Sequence, residues 1–556
     1  MKKIFITILS IIVIFSANAQ NNNDAIIFEA MKTELVRSMD SLRMPNMPDP
    51  FFINFIVSEG EAVNVTASLG GVIASRHDPI VRSFFSRVMT ESNELTNDIA
   101  FNNQGTAQNT LAIDNDIDQL RRGIWRAADV DYKRGLAMLT NKKNALRRIN
   151  LTPAEEALLD YNTAVPVEKI IHANFPVSVN LPELEALCEV LSAQFRNYPE
   201  LYASNVNVSA FQSVFYNLTS EGTKTKQPLS QVVLRAFARV RAADGAVLSD
   251  FMEVIVNDLS KLPSKEELIA QVNTFASELQ AVGAAQPITE YYSGPVLFEG
   301  DAVADIFLSN LLTPQGLNAY RRPIGQNINI RNLPIGRRII DTRFTVYNHT
   351  QKTEFNGQSL VGAYAVDGEG VVPQSSQLLV ENGMLRNFLN NRIPTLNAST
   401  SNGNERIGVN PAFITTDVKP SVLEIQTSEG LSGQELRARL LEMAKAEGLD
   451  YAYIVRKTSG VTRIYQVDVN TGAETMMRSP DIERVSLRAL KRVDAVASDM
   501  FVANRLLRNT HNQEGRAAAF PVSLIVPNAL LFQDIEINSS NATLETKPVV
   551  RNPLQR

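Results

Sequence analysis

Alternation with a period of two marks the most constrained stretch of this chain. Val63, Val65, Ala67 and Leu69 are apolar, Asn64, Thr66 and Ser68 are polar, and Glu59-Gly60 and Gly70-Gly71 bound the run. Such a pattern puts one face on a core and the other in water, which fits a half-buried strand of an antiparallel meander and not a helix. Two-residue turns extend the same logic. Asp244-Gly245 joins predicted strands at 231–243 and 246–256, and Asn382-Gly383 joins 378–380 to 384–389. Both turns are of the kind whose left-handed backbone suits Asn, Asp and Gly.

Helix signals are interleaved with these strands. Asp24 is placed to cap a helix through Ile27, Met31, Leu35, Met39 and Leu42, which Pro45, Pro48 and Pro50 end. Asp116 opens a long helix with the stripe Ile117, Leu120, Ile124, Ala128, Tyr132, Leu136 and Leu139, and its other face is basic. Asn180 and Pro182 start a third helix through Leu184, Leu187 and Leu191, with Cys188 near its apolar side. Ser264 with Glu267 forms a capping box for a helix that runs to about Val282, and Gly283-Ala284-Ala285 marks a domain border. A helix at 432–446, a strand at 451–455, a loop at 468–472 and closing strands at 522–525 and 529–537 follow. The expected class is α+β, with a mixed helix and antiparallel-sheet domain at 20–284 and a β-rich domain at 285–556.

The first residues read as a signal peptide, 1–19. Lys2 and Lys3 precede an apolar core at 4–15, and Ala17-Asn18-Ala19 offers cleavage after Ala19. The expected location is periplasmic or secreted. No later run approaches the ~20 apolar residues of a spanning helix, so no membrane span is expected. Cys188 is the only thiol, which excludes an intrachain disulfide. No His or Lys neighbours it in sequence, so it reads as buried and inert. Without Lys2 and Lys3, 52 basic residues face 59 acidic ones, a balance of −7 that gives no reason to expect a nucleic-acid partner.

Chemistry enters at Gly294-Pro-Val-Leu-Phe-Glu-Gly-Asp-Ala-Val-Ala-Asp-Ile-Phe307, an apolar strand turning into a helix with acidic residues in its first turn. Asp367-Gly-Glu-Gly370, Leu378-Leu-Val-Glu-Asn-Gly383 with Leu385, Ser399-Thr-Ser-Asn-Gly-Asn404 and a closing strand at 527–537 follow. In this order and spacing the segments resemble the TldD/PmbA, or modulator of DNA gyrase, metallopeptidase family. Pro50-Phe-Phe-Ile-Asn-Phe-Ile56, the strand at 63–69 and Leu120-Arg-Arg-Gly-Ile-Trp125 resemble its exported, longer branch.

The resemblance implies a specific site. Active members carry His-Glu-x-x-x-His at the strand-to-helix turn, two zinc ligands and a glutamate that activates the bound water, with a cysteine further along. Zinc held by three protein ligands lowers the pKa of its water to about 7, within reach of a neighbouring carboxylate. The corresponding positions here are Phe298, Glu299 and Val303, and Cys188 lies in the other half. The chain is similar to the zinc-less, TldE/PmbA-like members, so neither catalytic residues nor a metal or cofactor of its own are expected. The implied partners are a zinc-bearing TldD-like paralogue or further copies of the chain, and peptides. Peptide-cleft candidates are Asp301, Asp367, Glu369, Ser399, Asn402, Gly403 and Asn404. The gyrase name is not carried over, since an exported chain would not meet a cytoplasmic topoisomerase.

Other chemistries find less support. His77, His172, His349 and His511 are widely spaced. Gly357-Gln-Ser-Leu-Val-Gly362 misses the Gly-x-Ser-x-Gly elbow by one residue. Glu299 also fits the favourable field of a helix amino terminus, and Asp367 and Glu369 fit turn carboxylates as well as an acid/base pair. Arg235, Arg239 and Arg241 beside Phe237 form an anion site or a solvated face. Three functions stay open: a non-catalytic partner of a peptide-degrading zinc peptidase, a stand-alone envelope peptide-binding or scaffolding homo-oligomer, and a peptidase using Glu299, Asp301 and Asp305 with a harder metal.

Overall fold

The computed structural model describes residues 23–98, 108–171, 179–312, 316–319, 321, 324, 333–408, 410, 414–478, 481–482, 484–508, 519–539, 545 and 553–554. The expected signal peptide, His172 and His511 lie outside them. The fold is α+β. Its amino-terminal part contains helix α1 (23–41), strands β1 (Pro50–Ser68) and β2 (Gly71–Thr90), helices α2 (Ile117–Leu146) and α3 (Leu181–Ala193), strands β3 (Leu201–Thr219), β4 (Lys224–Arg241) and β5 (Val247–Val256), and helix α4 (Lys265–Ala284). The strands form the antiparallel order β2-β1-β3-β4-β5 within a seven-stranded sheet.

One face of this sheet carries these four helices. The first two pack on Phe55, Val57, Phe84, Val214 and Tyr216. The other two pack on Val65, Val206, Leu234 and Ala236, and Cys188 is buried there, where desolvation pushes its thiol up to about 12. Asp116 caps α2 through the amides of Asp118 and Gln119, and Ser264 and Glu267 form the expected box on α4. Asp24 departs from the cap expected of it. Its buried carboxylate accepts from the Tyr216 hydroxyl at 2.8 Å and the Lys226 ammonium at 2.5 Å, because a buried lysine needs a counter-charge more than exposed amides need a cap.

The alternation at 63–69 is only the distal end of β1. From Phe52 to Ala62 the strand is buried on both faces, so its sequence loses the period of two. Helices cover one side and the carboxy-terminal part covers the other. Ile56, Phe85 and Phe215 meet Ile407 and Ile414, while Val233 and Ile255 meet Val361.

The carboxy-terminal part is a sandwich of two sheets. Its main elements are β6 (Tyr292–Gly300), α5 (Asp301–Leu311), β7 (Phe344–His349), β8 (Ser376–Glu381), β9 (Glu405–Gly408), β10 (Val422–Thr427), α6 (Gly433–Ala446), β11 (Tyr451–Lys457), β12 (Thr462–Asp468), β13 (Met500–Arg508), β14 (Ala519–Pro527) and β15 (Ala529–Asn538). One sheet is centred on β15-β6-β11-β12, and the other runs β8-β7-β10-β14-β13. Helix α5 contributes to the core they share, and α6 covers the outer face of the first sheet on Leu297, Ile454 and Leu531. Asn382 and Gly383 adopt φ of +47° and +74°, the turn their sequence predicts, although the strand after it spans only Met384–Leu385.

Candidate functional site

The strand-to-helix turn is built on Gly300, whose φ is +67°. A Cβ there would stand 2.5 Å from the Lys457 carbonyl oxygen, so glycine is required. Successive residues of β6 point to opposite faces. Phe298 therefore enters the sandwich core, 5% exposed, with its ring edge-on to Phe532 at 5.7 Å between centroids. Val303, on α5, is fully buried in the same core. Glu299 lies on the other side, lining a cavity of about 480 Å³ with Ser432, Arg456, Asp499 and Asn528.

Cations answer each carboxylate at this turn. Glu299 precedes the helix cap and accepts from Arg456 Nε at 2.5 Å, so an ion pair holds it rather than the field of the helix. Asp301 and Asp305, one turn apart, share Arg505, with Asp305 at 3.1 Å and Asp301 closer. Lys457 reaches Asp305 at 2.7 Å and Asp301 at 3.7 Å. Burial works against the charge of Arg505, but the two aspartates outweigh it and its pKa is raised.

These residues do not fit a metal. Zinc requires imidazole, thiolate or carboxylate donors around an open position. Here a phenyl ring and an isopropyl group stand at two of the positions, and the neighbouring carboxylates are committed to guanidinium and ammonium groups. The harder-metal reading fails on the same ground, since an ion at Asp301 and Asp305 would have to displace Lys457 and Arg505. Among the described residues no group of three or more His, Cys, Asp or Glu is placed to hold a metal ion.

The remaining peptide-cleft candidates cluster elsewhere, around the seam between the two parts. Asp367 is buried and accepts from the amides of Glu369, Val371 and Glu405 at 3.0, 2.8 and 3.3 Å. The Gly368 carbonyl accepts from Asn54 and Asn217 of the amino-terminal sheet at 3.2 and 3.1 Å. Glu369 accepts from Arg87 at 2.8 Å, the Tyr161 hydroxyl at 3.2 Å and the Arg392 amide at 2.8 Å. The loop thus clamps one part to the other. Burial, reinforced by the charge of Glu369, pushes the Asp367 carboxyl well above the usual range. The same two causes raise Glu405 to about 7, against the opposing pull of Arg87.

Ser399 is exposed, and its carbonyl accepts from Asn162 at 2.7 Å. Asn402 ties the Asn390 amide to the Phe388 carbonyl at 2.8 and 2.6 Å. Gly403, with φ +77°, lies against Pro373. Asn404 is buried in a network with Asn348, Gln377 and Tyr364 at 3.0, 3.0 and 3.2 Å. The geometry of this second group is that of turns and buried polar networks, and Asp301 stands apart from it at the Gly300 turn. Sequence reasoning missed Arg87, Tyr161, Arg456, Lys457 and Arg505, all on segments remote from the motifs they meet, and Arg392, which lies 23 residues from Glu369. It also missed Arg406, which is buried, donates to the Pro420 and Pro521 carbonyls at 2.6 Å and is held down to about 10 by desolvation.

Residues 291–539 match the PmbA/TldA metallopeptidase C-terminal domain. Over that region the chain is similar to the TldD/PmbA family. Its fold is similar over most of its length to TldE from Thermococcus kodakarensis, with TM-score 0.55 and 13% identity, covering 92% of this chain and 100% of that one. A protein described as a modulator of a DNA gyrase from Thermotoga maritima gives 0.54 and 14%, covering 87% and 96%. Another so described, from Bacteroides thetaiotaomicron, gives 0.54 and 12%, covering 91% and 98%. At these identities the likeness is one of fold, and it takes in the amino-terminal half as well. No curated protein matches. In this chain the turn at Gly300 is an apolar plug on one side and a set of closed ion pairs on the other.

Proposed function

We propose that the chain is an exported, non-catalytic subunit that acts beside a zinc-bearing relative in the breakdown of peptides. One observation carries the reading: the two positions that would bind zinc in an active member, Phe298 and Val303, are packed into the sandwich core. The pairing of Glu299 with Arg456 adds to it, since that carboxylate is already engaged by a guanidinium. The basic start, apolar core and Ala17-Asn18-Ala19 of the first residues support export to the periplasm or beyond.

The test is to purify the chain alone and together with a relative that carries His-Glu-x-x-x-His. Alone it should hold no stoichiometric zinc by elemental analysis and cleave no peptide. Together the two should co-purify and cleave peptides. One tightly held zinc per chain, or hydrolysis by the chain alone that manganese restores and Glu299→Gln abolishes, would defeat the proposal. A stable homo-oligomer that ignores the relative would leave a stand-alone peptide binder in its place.

A further inference from the structure

Helix α2 turns a basic face to solvent that neither the Gly300 turn nor the Asp367 loop uses. Residues 117–148 hold nine Lys or Arg and three Asp, a balance of +6 in a chain whose formal charge is −5. Leu120, Ile124, Ala128 and Tyr132 are buried against the sheet. Outward stand Arg122, Arg126 and Lys133, and past the helix end Arg147 and Arg148, all exposed. Lys133 pairs with Asp129 one turn away at 2.7 Å. Among the described residues the four arginines make no ion pair. At a rise of 1.5 Å per residue the stripe is about 39 Å long.

Apolar groups flank these cations. Trp125, the only tryptophan of the chain, is 47% exposed, with the Arg37 guanidinium of α1 5.9 Å from its ring. Val130 is exposed on the same helix, and Met44 and Met47 are exposed in the loop whose Pro48 carbonyl accepts from Tyr132 at 3.1 Å.

We propose that this face docks on an anionic phospholipid surface, with its arginines over the headgroups and Trp125 at the boundary with the acyl chains. An acidic protein or a soluble polyanion would satisfy the arginines equally. The exposed indole and methionines beside them select lipid, because an amphipathic ring with a polar N–H is stabilised where headgroups meet hydrocarbon. Among the described residues no helix is long and apolar enough to cross a membrane, so the attachment through this face is peripheral.

Because Trp125 is the sole tryptophan, indole emission reports this face alone. The full chain is titrated with phosphatidylcholine vesicles, with and without phosphatidylglycerol, and co-sedimentation is measured in parallel. Emission should move to shorter wavelength, and the protein should sediment, with the anionic vesicles only, and high salt should abolish both. Each arginine near such a surface contributes about fivefold, so Arg122→Gln/Arg126→Gln should weaken partitioning about thirtyfold. Both residues are exposed, and unchanged thermal unfolding of the variant verifies its fold. No shift, an equal shift on neutral vesicles, undiminished partitioning of the double variant, or the same shift with soluble heparin overturns the proposal.

Discussion

Replacing Arg87 by methionine tests the ionic clamp between the two parts. The Arg87 side chain is 11% exposed and that of Glu369 is 1% exposed, so the pair is screened from solvent. Burial opposes the charge of Arg87, but Asp98, Tyr161, Glu369 and Glu405 together raise its pKa well above the ordinary value. Without that guanidinium, Glu369 keeps the Tyr161 hydroxyl and the Arg392 amide but has Asp367 and Glu405 as acidic neighbours. Removing one partner of a buried pair costs about 3–5 kcal/mol. With about 2.1 cal/mol/K of unfolding entropy per residue, the 556 residues melting together convert this to a fall in Tm of about 3–4 °C. Scanning calorimetry at pH 7 on Arg87→Met, Glu369→Gln and the double variant measures it. The double variant should regain at least ~1.5 kcal/mol of the summed single losses, since neither charge is left alone. A fall below about 1 °C for Arg87→Met, or strict additivity in the double variant, refutes the clamp.

Phe298→His/Val303→His should cost about 2–5 kcal/mol by placing imidazoles in a packed core, and elemental analysis should still find zinc far below one per chain; stoichiometric zinc would show that the cations at the turn are no obstacle. Glu405 is raised from 4.5 to about 7, so the folded chain keeps a proton that the unfolded chain releases, and stability falls as pH climbs through that window. Between pH 5 and pH 7 the share of Glu405 is about 2 kcal/mol, and Glu405→Gln should lessen the fall in urea melts at those two pH values, leaving the share of Asp367, which burial also raises; an unchanged slope would assign the whole dependence to other groups. The Cys188 thiol, buried and pushed up to about 12, should resist thiol reagents in the native chain at neutral pH and react once per chain in denaturant. Rapid native labelling contradicts that burial.

The elements legible in the sequence are those with local signals. Ser264 with Glu267, Asp116 and Asn382-Gly383 act within four residues of themselves, and the structure uses each as its chemistry requires; at Asp244-Gly245 only Gly245 takes a positive φ, and the Gly245 amide donates to the Ala242 carbonyl, so the turn is centred one residue earlier than the sequence predicts. The proximal half of β1 was hidden because a strand covered on both faces carries no alternation. Asp24 misled because its partners, Tyr216 and Lys226, lie about two hundred residues away. The site divides along the same line. The apolar identity of Phe298 and Val303 is plain in the residues themselves, whereas the cations facing Glu299 and Asp305 come from 157 and 200 positions further on. Arg87 and Glu369 are separated by 282. No pattern within a window of sequence encodes such encounters.

The plugged turn at Gly300 also governs how this chain can change. Exchanging Phe298 or Val303 alone loosens the sandwich without creating a coordination shell, and releasing Asp301 or Asp305 alone strands a charge. Any route to metal chemistry therefore passes through weakened folds before the first ion is held, and a one-residue-at-a-time scan of this protein would register only losses of stability at that turn.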